Sequence, residues 1–371
     1  MTLTKIAPQN LRTPGPTPIP DDIVEEMSLP MINHRGPEFK ELIEATTEGL
    51  KQVFMTTDDL YILTASGTGA LEAAVVNTLS PGDRVIACTA GAFGDRFVQI
   101  ADTYGADVLR MDFEWGDAID PEAIRAELQK DPSIKAVLVT HNETSTGVTH
   151  DLESIARVVK GEFDKLLLVD AVSSLGCLPL PVDGWDCDLV ATGSQKGFMI
   201  PPGLAFISIS ARGWEAYKDA KMPRFYFDLM AAERSLVRGQ TPWTPNVALL
   251  YGLRLGLDRI LGEGLESVYD RHAEIGEYTR AGVKALGLTL LANDEARASN
   301  TVTAIKMPEE IDGGRFMAMM REEEGVVLAG GQGKLTGHCF RIGHLGWVNK
   351  SDIAEVLEAL GRVLPKVGFK G

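Results

Sequence analysis

Two apolar runs of the sequence end in residues that can carry covalent chemistry. The run LLLVD ends in Asp170, and the next run, DLVATGSQK, ends in Lys196. A carboxylate can keep a pyridine nitrogen protonated, and a lysine amine can form a Schiff base with an aldehyde. Taken singly, an Asp after a strand usually caps a helix and a loop lysine is usually solvated. Their joint occurrence predicts pyridoxal phosphate as cofactor, in an enzyme of amino-acid carbon–nitrogen chemistry.

A glycine-bearing turn in TASGTGALEAAVVNTL offers a place for a phosphate group. A strand is expected to end at Thr64 and a helix to begin near Ala70, with the turn at 66–69 between them. Free N–H groups at a helix start attract anions, although an ordinary strand–turn–helix junction has the same pattern. The turn is neither GxxxxGK[ST] nor GxGxxG with a suitably spaced acid, which argues against nucleoside triphosphates and dinucleotides.

The elements around these residues predict an α/β fold. Seven short aliphatic runs predict strands buried on both faces, with helical patterns at 69–79, 94–104, 121–130 and 151–160 between them. The runs are LYILTA, DRVIACTA, ADVLRMDF, KAVLVTH, KLLLVDA, CDLVATG and LAFISIS. We therefore expect a mostly parallel, seven-stranded sheet flanked by helices. Asp170 and Lys196 then lie at its carboxyl edge, where ligands bind in such sheets.

The length of the chain and the positions of its N-terminal prolines predict an arm and two domains. A chain of 371 residues exceeds the size at which one core usually stops growing. Pro14, Pro16, Pro18 and Pro20 predict an extended arm over residues 1–20. We expect a large cofactor-binding domain at 21–250 and a small α/β domain at 251–371, with a bridging helix near 246–262. Within the small domain the patterns predict strands at 301–307, 325–329 and 338–342, and helices at 313–324 and 351–364.

Composition narrows the classes of partner and compartment. The net charge of −16 disfavours binding to nucleic acid or to anionic membranes. No apolar run is long enough for a membrane span, so we expect neither membrane insertion nor export. Four cysteines without a CxxC pair predict reduced thiols and a cytoplasmic location. The six histidines show no metal-site spacing, so no metal is expected.

Several strings in this order resemble the class V aminotransferases. They are SGTGALEAAVVNTLSPGD, TAGAFGDRF, THNETSTG, VDAVSSLG, GSQKGFMIPPGLAFI, TPWTP and FRIGHLG. The resemblance covers nearly the whole chain and is strongest to the alanine/serine–glyoxylate (serine–pyruvate) subgroup. It implies a fold-type-I pyridoxal-phosphate-dependent transferase.

The resemblance also implies a role for individual residues. Lys196 would be the Schiff-base lysine and Asp170 the partner of the ring nitrogen. Val172 would pack on the inner ring face and Phe93 on the outer face, where relatives often carry Trp. Thr144 falls where the family places a hydroxyl near the ring oxygen.

The phosphate and the substrate carboxylate have their own implied partners. Ser66, Gly67, Thr68 and Gln195 match the phosphate-binding residues. Thr244 matches a threonine that the family contributes to the phosphate of a neighbouring subunit, which implies a homodimer with shared sites. An arginine in a strand is more often a surface ion-pair partner, but Arg341 matches the family's carboxylate-binding arginine. The segments containing Gly15 and His34 resemble those that roof the substrate pocket, and a structural role for His34 is equally open.

We therefore predict an aminotransferase that moves an amino group from a small amino acid, such as alanine or serine, to glyoxylate or a related 2-oxo acid by a ping-pong mechanism. Two alternatives stay open. One is a cysteine desulfurase or lyase on the same scaffold, which would require a mobile cysteine such as Cys339. The other is a non-catalytic subunit that keeps the fold.

Overall fold

A computed structural model describes residues 9–371, and a seven-stranded sheet lies at its centre. The spatial order is β1-β7-β6-β5-β4-β2-β3, with β7 antiparallel to both neighbours and every other pair parallel. The strands are β1 (Asp59–Leu63), β2 (Arg84–Thr89), β3 (Asp107–Asp112), β4 (Ala136–Thr140), β5 (Leu166–Asp170), β6 (Leu189–Gly193) and β7 (Ala205–Ile209). All seven predicted strands and their mostly parallel arrangement are confirmed.

Helices cover both faces of the sheet, as a parallel sheet with crossover connections requires. They are Asp21–Glu26, Pro37–Phe54, Gly67–Thr78, Ala92–Thr103, Pro121–Lys130, Leu152–Ala156, Ala211–Asp219, Leu229–Leu236 and Val247–Glu263. The remaining helices, Leu265–Ala285, Gly313–Glu322 and Lys350–Lys366, contribute to the apolar cluster of the C-terminal part. The helix predicted at 151–160 differs in detail, because it widens into a π-helical turn at Arg157–Glu162.

Burial of the strands follows their place in the sheet. The central strands β4, β5 and β6 are buried along their whole length, because helices pack on both of their faces. The prediction of burial on both faces is wrong for β3, which is exposed or half-buried throughout because it is an edge strand. Two apolar clusters lie on opposite faces of the sheet, one around Phe39 and Val169 and the other around Ala74 and Leu168.

A second, smaller sheet is formed by the C-terminal part of the chain. Val302–Lys306 and Ala329–Gly330 pair antiparallel with Cys339–Gly343. The helices Gly313–Glu322 and Lys350–Lys366 pack on this sheet around Phe316 and Phe340. The single strand predicted at 325–329 is wrong. Val326–Val327 instead pairs with Asn10–Leu11, so the segment is divided between two sheets. The division of the chain at residues 250 and 251 stays a prediction.

The N-terminal arm connects the small sheet to the loop that carries Lys196. The predicted arm includes residues 1–8, which lie outside the described residues. In the described part of the arm, residues 13–16 form a bend and residues 17–20 have no regular secondary structure, so the extended arm stays a prediction. Its Arg12 carbonyl accepts the N–H of Gly343 at 2.6 Å, and the N–H of Thr17 donates to the Gln195 carbonyl at 3.2 Å. Within the described residues no helix has the length and apolarity that crossing a bilayer requires.

Candidate active site

Asp170 and Lys196 lie at the same edge of the large sheet. Asp170 is the last residue of β5, and β6 ends at Gly193, three positions before Lys196. Because β5 and β6 pair in parallel, with Asp170 opposite Ala191, both strands present their carboxyl ends at this edge. The predicted placement of the two residues is confirmed.

The Asp170 carboxylate is buried with little compensation. Its side chain is 3% exposed and accepts one hydrogen bond within residues 9–371, from the Val172 N–H at 2.9 Å. Burial raises the pKa of this carboxyl to about 7, and the negative charge of Glu143 adds to the rise. The charges of Arg96 and Lys196 act in the opposite direction. Such a carboxylate can stabilise a cation that enters the site.

The Lys196 amine is buried and faces a backbone carbonyl. Its side chain donates to the carbonyl oxygen of Pro14, and Gly15 packs so closely that a Cβ there would lie 2.6 Å from Nζ. Gly15 also has a φ of +119°, which disfavours any side chain. Burial lowers the pKa of Lys196 to about 8, with Asp170 opposing this shift and Arg341 adding to it. With this pKa a larger fraction of the Lys196 amine is neutral near physiological pH than for an ordinary lysine, and the neutral amine is the nucleophile.

The helix Gly67–Thr78 directs its free N–H groups toward this edge. Ser66 occupies the N-cap position, yet its hydroxyl caps no N–H of the helix. The first N–H groups of a helix lack partners within it and favour an anion. Gln195 precedes Lys196, and its side-chain NH2 can donate to an anion, whereas its buried Oε1 has no hydrogen-bond partner among the described residues. Val172 packs against Gly67. These residues fit a phosphate group.

Phe93 and Thr144 flank the site from two further elements. Phe93 lies in the first turn of the helix Ala92–Thr103 and is half-buried. The guanidinium of Arg96 lies 4.8 Å from the centre of its ring and donates to Thr68 Oγ1 at 3.3 Å. Thr144 is buried, and its hydroxyl donates to Ser173 Oγ at 2.7 Å.

Arg341 is a buried cation that extends from the small sheet. Its side chain is 5% exposed. Nε donates to the Gly330 carbonyl at 3.0 Å, and Nη1 donates to the Thr144 carbonyl and to Gln332 Oε1, both at 3.2 Å. Within residues 9–371 its hydrogen-bond acceptors are neutral, and burial lowers its pKa. Nη2 is left for an additional acceptor, as binding of a substrate carboxylate would require.

Comparison with known proteins identifies the family. The profile described as Aminotransferase class-V matches residues 11–344. The chain belongs to the class-V aminotransferase family. The soluble hydrogenase small subunit of a Synechococcus species is 44% identical and covers 97% of this chain and 94% of its own. A serine–glyoxylate aminotransferase of Methylorubrum extorquens is 39% identical, over 92% of this chain and 87% of its own.

A solved structure agrees with this class-V assignment. The alanine–glyoxylate aminotransferase of a Nostoc species superposes with a TM-score of 0.94 at 30% identity, over 98% of this chain and 97% of its own. The predicted α/β architecture, with a mostly parallel sheet and fold-type-I relatives, is thereby confirmed.

For two predicted site residues of this class-V aminotransferase, the side chains form no hydrogen bond with another described residue. His34 is half-buried, and its neighbour Arg35 donates to the Thr241 carbonyl at 2.7 Å. Thr244 is exposed in the loop that precedes the helix Val247–Glu263. The roles of both residues stay predictions. Burial lowers the pKa of His141 to about 4, so this neighbour of the site stays neutral.

The same class-V structure contains groups that sequence reasoning did not select. Arg96, Glu143 and the Pro14 carbonyl all border the edge that holds Lys196. Arg96 could have been selected from the sequence, because it lies one helical turn after Phe93 in the same helix. Within residues 9–371 no three His, Cys, Asp or Glu side chains form a cluster suited to a metal ion. Cys339 is buried inside a strand, and burial raises its pKa.

Proposed function

We propose that this chain is a pyridoxal-phosphate-dependent aminotransferase that moves the amino group of serine or alanine to glyoxylate or a related 2-oxo acid. One observation carries the proposal. Asp170, Lys196 and Arg341 are all buried at one sheet edge, and none forms an ion pair within residues 9–371. Buried charges without partners are costly, so their retention points to a charged ligand.

The residues at this edge fit pyridoxal phosphate in charge and in donor type. Ser66, Gly67, Thr68 and Gln195 would hold the phosphate, at the free end of a helix. Asp170 would hold the ring nitrogen, with Val172 and Phe93 on the two ring faces and Thr144 near the ring oxygen. When bound, the cofactor supplies an electron sink for the carbon that loses its proton.

The chain itself supplies binding, orientation and proton transfer. Arg341 binds the α-carboxylate of the substrate through its free Nη2, because Nε and Nη1 are already held by carbonyl and amide oxygens. Nζ of Lys196, which is buried and has a lowered pKa, takes the proton from the substrate Cα and returns it. Gly15 and Pro14 cover Lys196 and limit the access of water.

The proposal includes a homodimer with shared sites. Phe225 is 75% exposed and lies against Trp243, with ring centres 4.8 Å apart, and Tyr226 stacks on the same Trp243. This exposed aromatic cluster adjoins Thr244, and a contiguous apolar patch at a surface favours burial against a partner. A second copy would cover the cluster and present Thr244 to the phosphate of the first. A cytoplasmic location is consistent with the four free thiols.

A spectral titration tests the transfer reaction. The purified protein, loaded with pyridoxal phosphate, should show a visible band that serine or alanine bleaches and glyoxylate restores. Initial rates should follow ping-pong kinetics. Aspartate is added to the panel to define the donor, and cysteine to detect sulfide release. A band that no amino acid bleaches would overturn the proposal, and sulfide release without amino transfer would favour the desulfurase alternative.

A further inference from the structure

Glu143 is a buried carboxylate at the start of the helix that carries Phe93. Its side chain is fully buried, and Oε2 accepts the N–H of Phe93 at 3.1 Å and of Gly94 at 3.0 Å. Oε1 accepts the Ser145 hydroxyl at 2.6 Å and the Ser145 N–H at 3.1 Å. Within residues 9–371 no cation pairs with it. Backbone N–H groups at a helix start therefore hold this negative charge.

The contact between Glu143 and the helix is close and specific. A Cβ on Gly91 would lie 2.3 Å from both Cγ and Cδ of Glu143, so only glycine fits at this position. The Ser145 hydroxyl also accepts the Ala92 N–H at 2.9 Å. Glu143 and Ser145 together bind the first N–H groups of the helix, at Ala92, Phe93 and Gly94. The first turn therefore has its backbone fixed on both sides of Phe93.

The segment that contains Glu143 also contacts two other parts of the site. The Thr144 carbonyl accepts Nη1 of Arg341, and the Thr144 hydroxyl donates to Ser173 Oγ. The negative charge of Glu143 raises the pKa of Asp170, although burial has the larger effect there. Phe93, Arg341 and the turn after Asp170 are thus held relative to one another by a single short segment.

We propose that Glu143 is a positioning residue that fixes Phe93 against the cofactor. This inference rests on the proposed function, since it takes the Phe93 ring as one face of the cofactor site. Burial raises the pKa of Glu143, and the hydrogen bonds from Ser145, Gly94 and Phe93 oppose that rise. Both carboxylate oxygens face donors, and this geometry favours the ionised form. An amide in its place would direct NH2 at either the helix N–H groups or the Ser145 N–H, whichever way it is turned.

A double-mutant cycle between Glu143 and Phe93 tests the proposal. E143Q, F93A and the double variant are compared with the wild type for the dissociation constant of pyridoxal phosphate and for the circular dichroism of the bound cofactor. If Glu143 acts through Phe93, each single variant weakens binding about tenfold and the double variant is no weaker than F93A alone. E143Q should also change the dichroism of the bound cofactor. In the cofactor-free protein, E143Q should speed hydrogen exchange at residues 92–94.

A matched control separates positioning from general stability. Asp120 also caps a helix, Pro121–Lys130, by accepting the Glu122 N–H at 2.9 Å, but that helix carries no predicted site residue. D120N should leave cofactor affinity and dichroism unchanged. If E143Q does not fold, S145A replaces it in the cycle, because it keeps the carboxylate and removes one link to the helix start.

The outcomes distinguish this inference from the proposed function. Effects of E143Q and F93A that multiply to about 100-fold in the double variant would overturn the positioning role. An E143Q protein with wild-type affinity and dichroism would do the same, and both results leave the aminotransferase proposal intact. A wild type that binds the cofactor and retains the coupling, but transfers no amino group, would remove the proposed reaction and not the positioning role.

Discussion

The buried carboxylates at the two ends of the large sheet differ in their hydrogen-bond partners. At the amino end of β6, both carboxylate oxygens of Asp188 accept hydrogen bonds from Lys160 Nζ, at 2.9 and 2.7 Å. The same carboxylate accepts the Ser210 hydroxyl at 2.8 Å and the Leu167 N–H at 2.9 Å. At the carboxyl end of the neighbouring β5, the Val172 N–H is the one hydrogen-bond donor to Asp170 in the described part of the chain. Both carboxylates are buried, but only the first is fully satisfied.

The two lysines repeat this contrast. Lys160 is paired with an acid, whereas Lys196 donates to the Pro14 carbonyl, which carries no charge. A satisfied pair contributes to a specific fold, while an unpaired buried charge lowers stability until a ligand compensates it. The amino end of the sheet is therefore built for stability and the carboxyl end for binding. Substitutions at the two ends should therefore separate stability from activity.

Removal of each lysine should have the largest effects. K196A should lower amino transfer by about 10⁴-fold or more, because the variant lacks the Nζ that takes the substrate proton, and should barely change stability. K160A should leave the turnover of the folded protein unchanged. It should lower the free energy of unfolding by about 3–5 kcal/mol, since Asp188 would stay buried without its cation. Turnover and urea unfolding of both variants measure this.

The assignment of the two ends would be wrong if K160A lost turnover while fully folded. It would also be wrong if K196A kept more than a few per cent of the activity. Both variants are compared at a temperature at which far-ultraviolet circular dichroism shows K160A to be folded.

Neutralising each aspartate should change stability in opposite directions. D188N removes the buried partner of Lys160, which then has only the more distant and exposed Asp186 at 3.8 Å, and should destabilise the protein by about 3 kcal/mol. D170N removes an unpaired buried charge and should stabilise the cofactor-free protein by about 1–3 kcal/mol at pH 8, while activity falls by about 10³-fold. Thermal unfolding of cofactor-free samples and assays of loaded samples provide the measurement.

The stabilisation by D170N should depend on pH. The pKa of Asp170 is raised to about 7 in the folded protein, so the native state holds its proton between about pH 4 and 7 while the unfolded state has lost it. Wild-type stability from this group therefore falls as the pH rises through that window. D170N has no carboxyl proton to lose, so its stability does not fall in this way. The stability that it gains over the wild type should be absent near pH 4 and complete above pH 7. An advantage that is independent of pH would show that repacking, and not charge, is responsible.

Arg341 extends the comparison to the small sheet. R341M should raise KM for amino and oxo acids and lower kcat/KM by about 10²-fold, because it removes a buried cation that lacks an acid partner in residues 9–371. R280M is the matched control, since Arg280 also donates to a carbonyl, that of Ser299 at 2.8 Å. R280M should lower stability without changing KM. Equal effects of both variants on KM would contradict a substrate-binding role for Arg341.

The contrast between the two ends explains what the sequence could predict. The central strands are apolar along their whole length, so their existence and bounds are readable, and parallel pairing places Asp170 and Lys196 at one edge. The contacts of Glu143 with the N–H of Phe93 and of Lys196 with Pro14 join positions far apart in the chain. No local pattern encodes such contacts. The split of the segment at 325–329 has the same cause, since its pairing partner is the N-terminal Asn10–Leu11.

The smallest predicted effect is on the rate of cofactor uptake, which should rise about tenfold per pH unit below pH 8. Burial lowers the pKa of Lys196 to about 8, so the neutral amine rises with pH until about pH 8 and then levels off. The rate at which the cofactor-free protein takes up pyridoxal phosphate, followed by visible absorbance, should show this profile. A model lysine with an ordinary pKa near 10 should show no plateau below about pH 10 and serves as control.

Substitutions at the two ends sharpen this profile. Asp170 raises the pKa of Lys196, so D170N should move the midpoint to lower pH, and Arg341 lowers it, so R341M should move the midpoint to higher pH. D188N should leave the midpoint in place, because that carboxylate is compensated by Lys160 at the far end of the strand. A midpoint that shifts with D188N, or stays fixed with D170N, would mean that the two ends of the sheet are not electrostatically distinct in the way their contacts require.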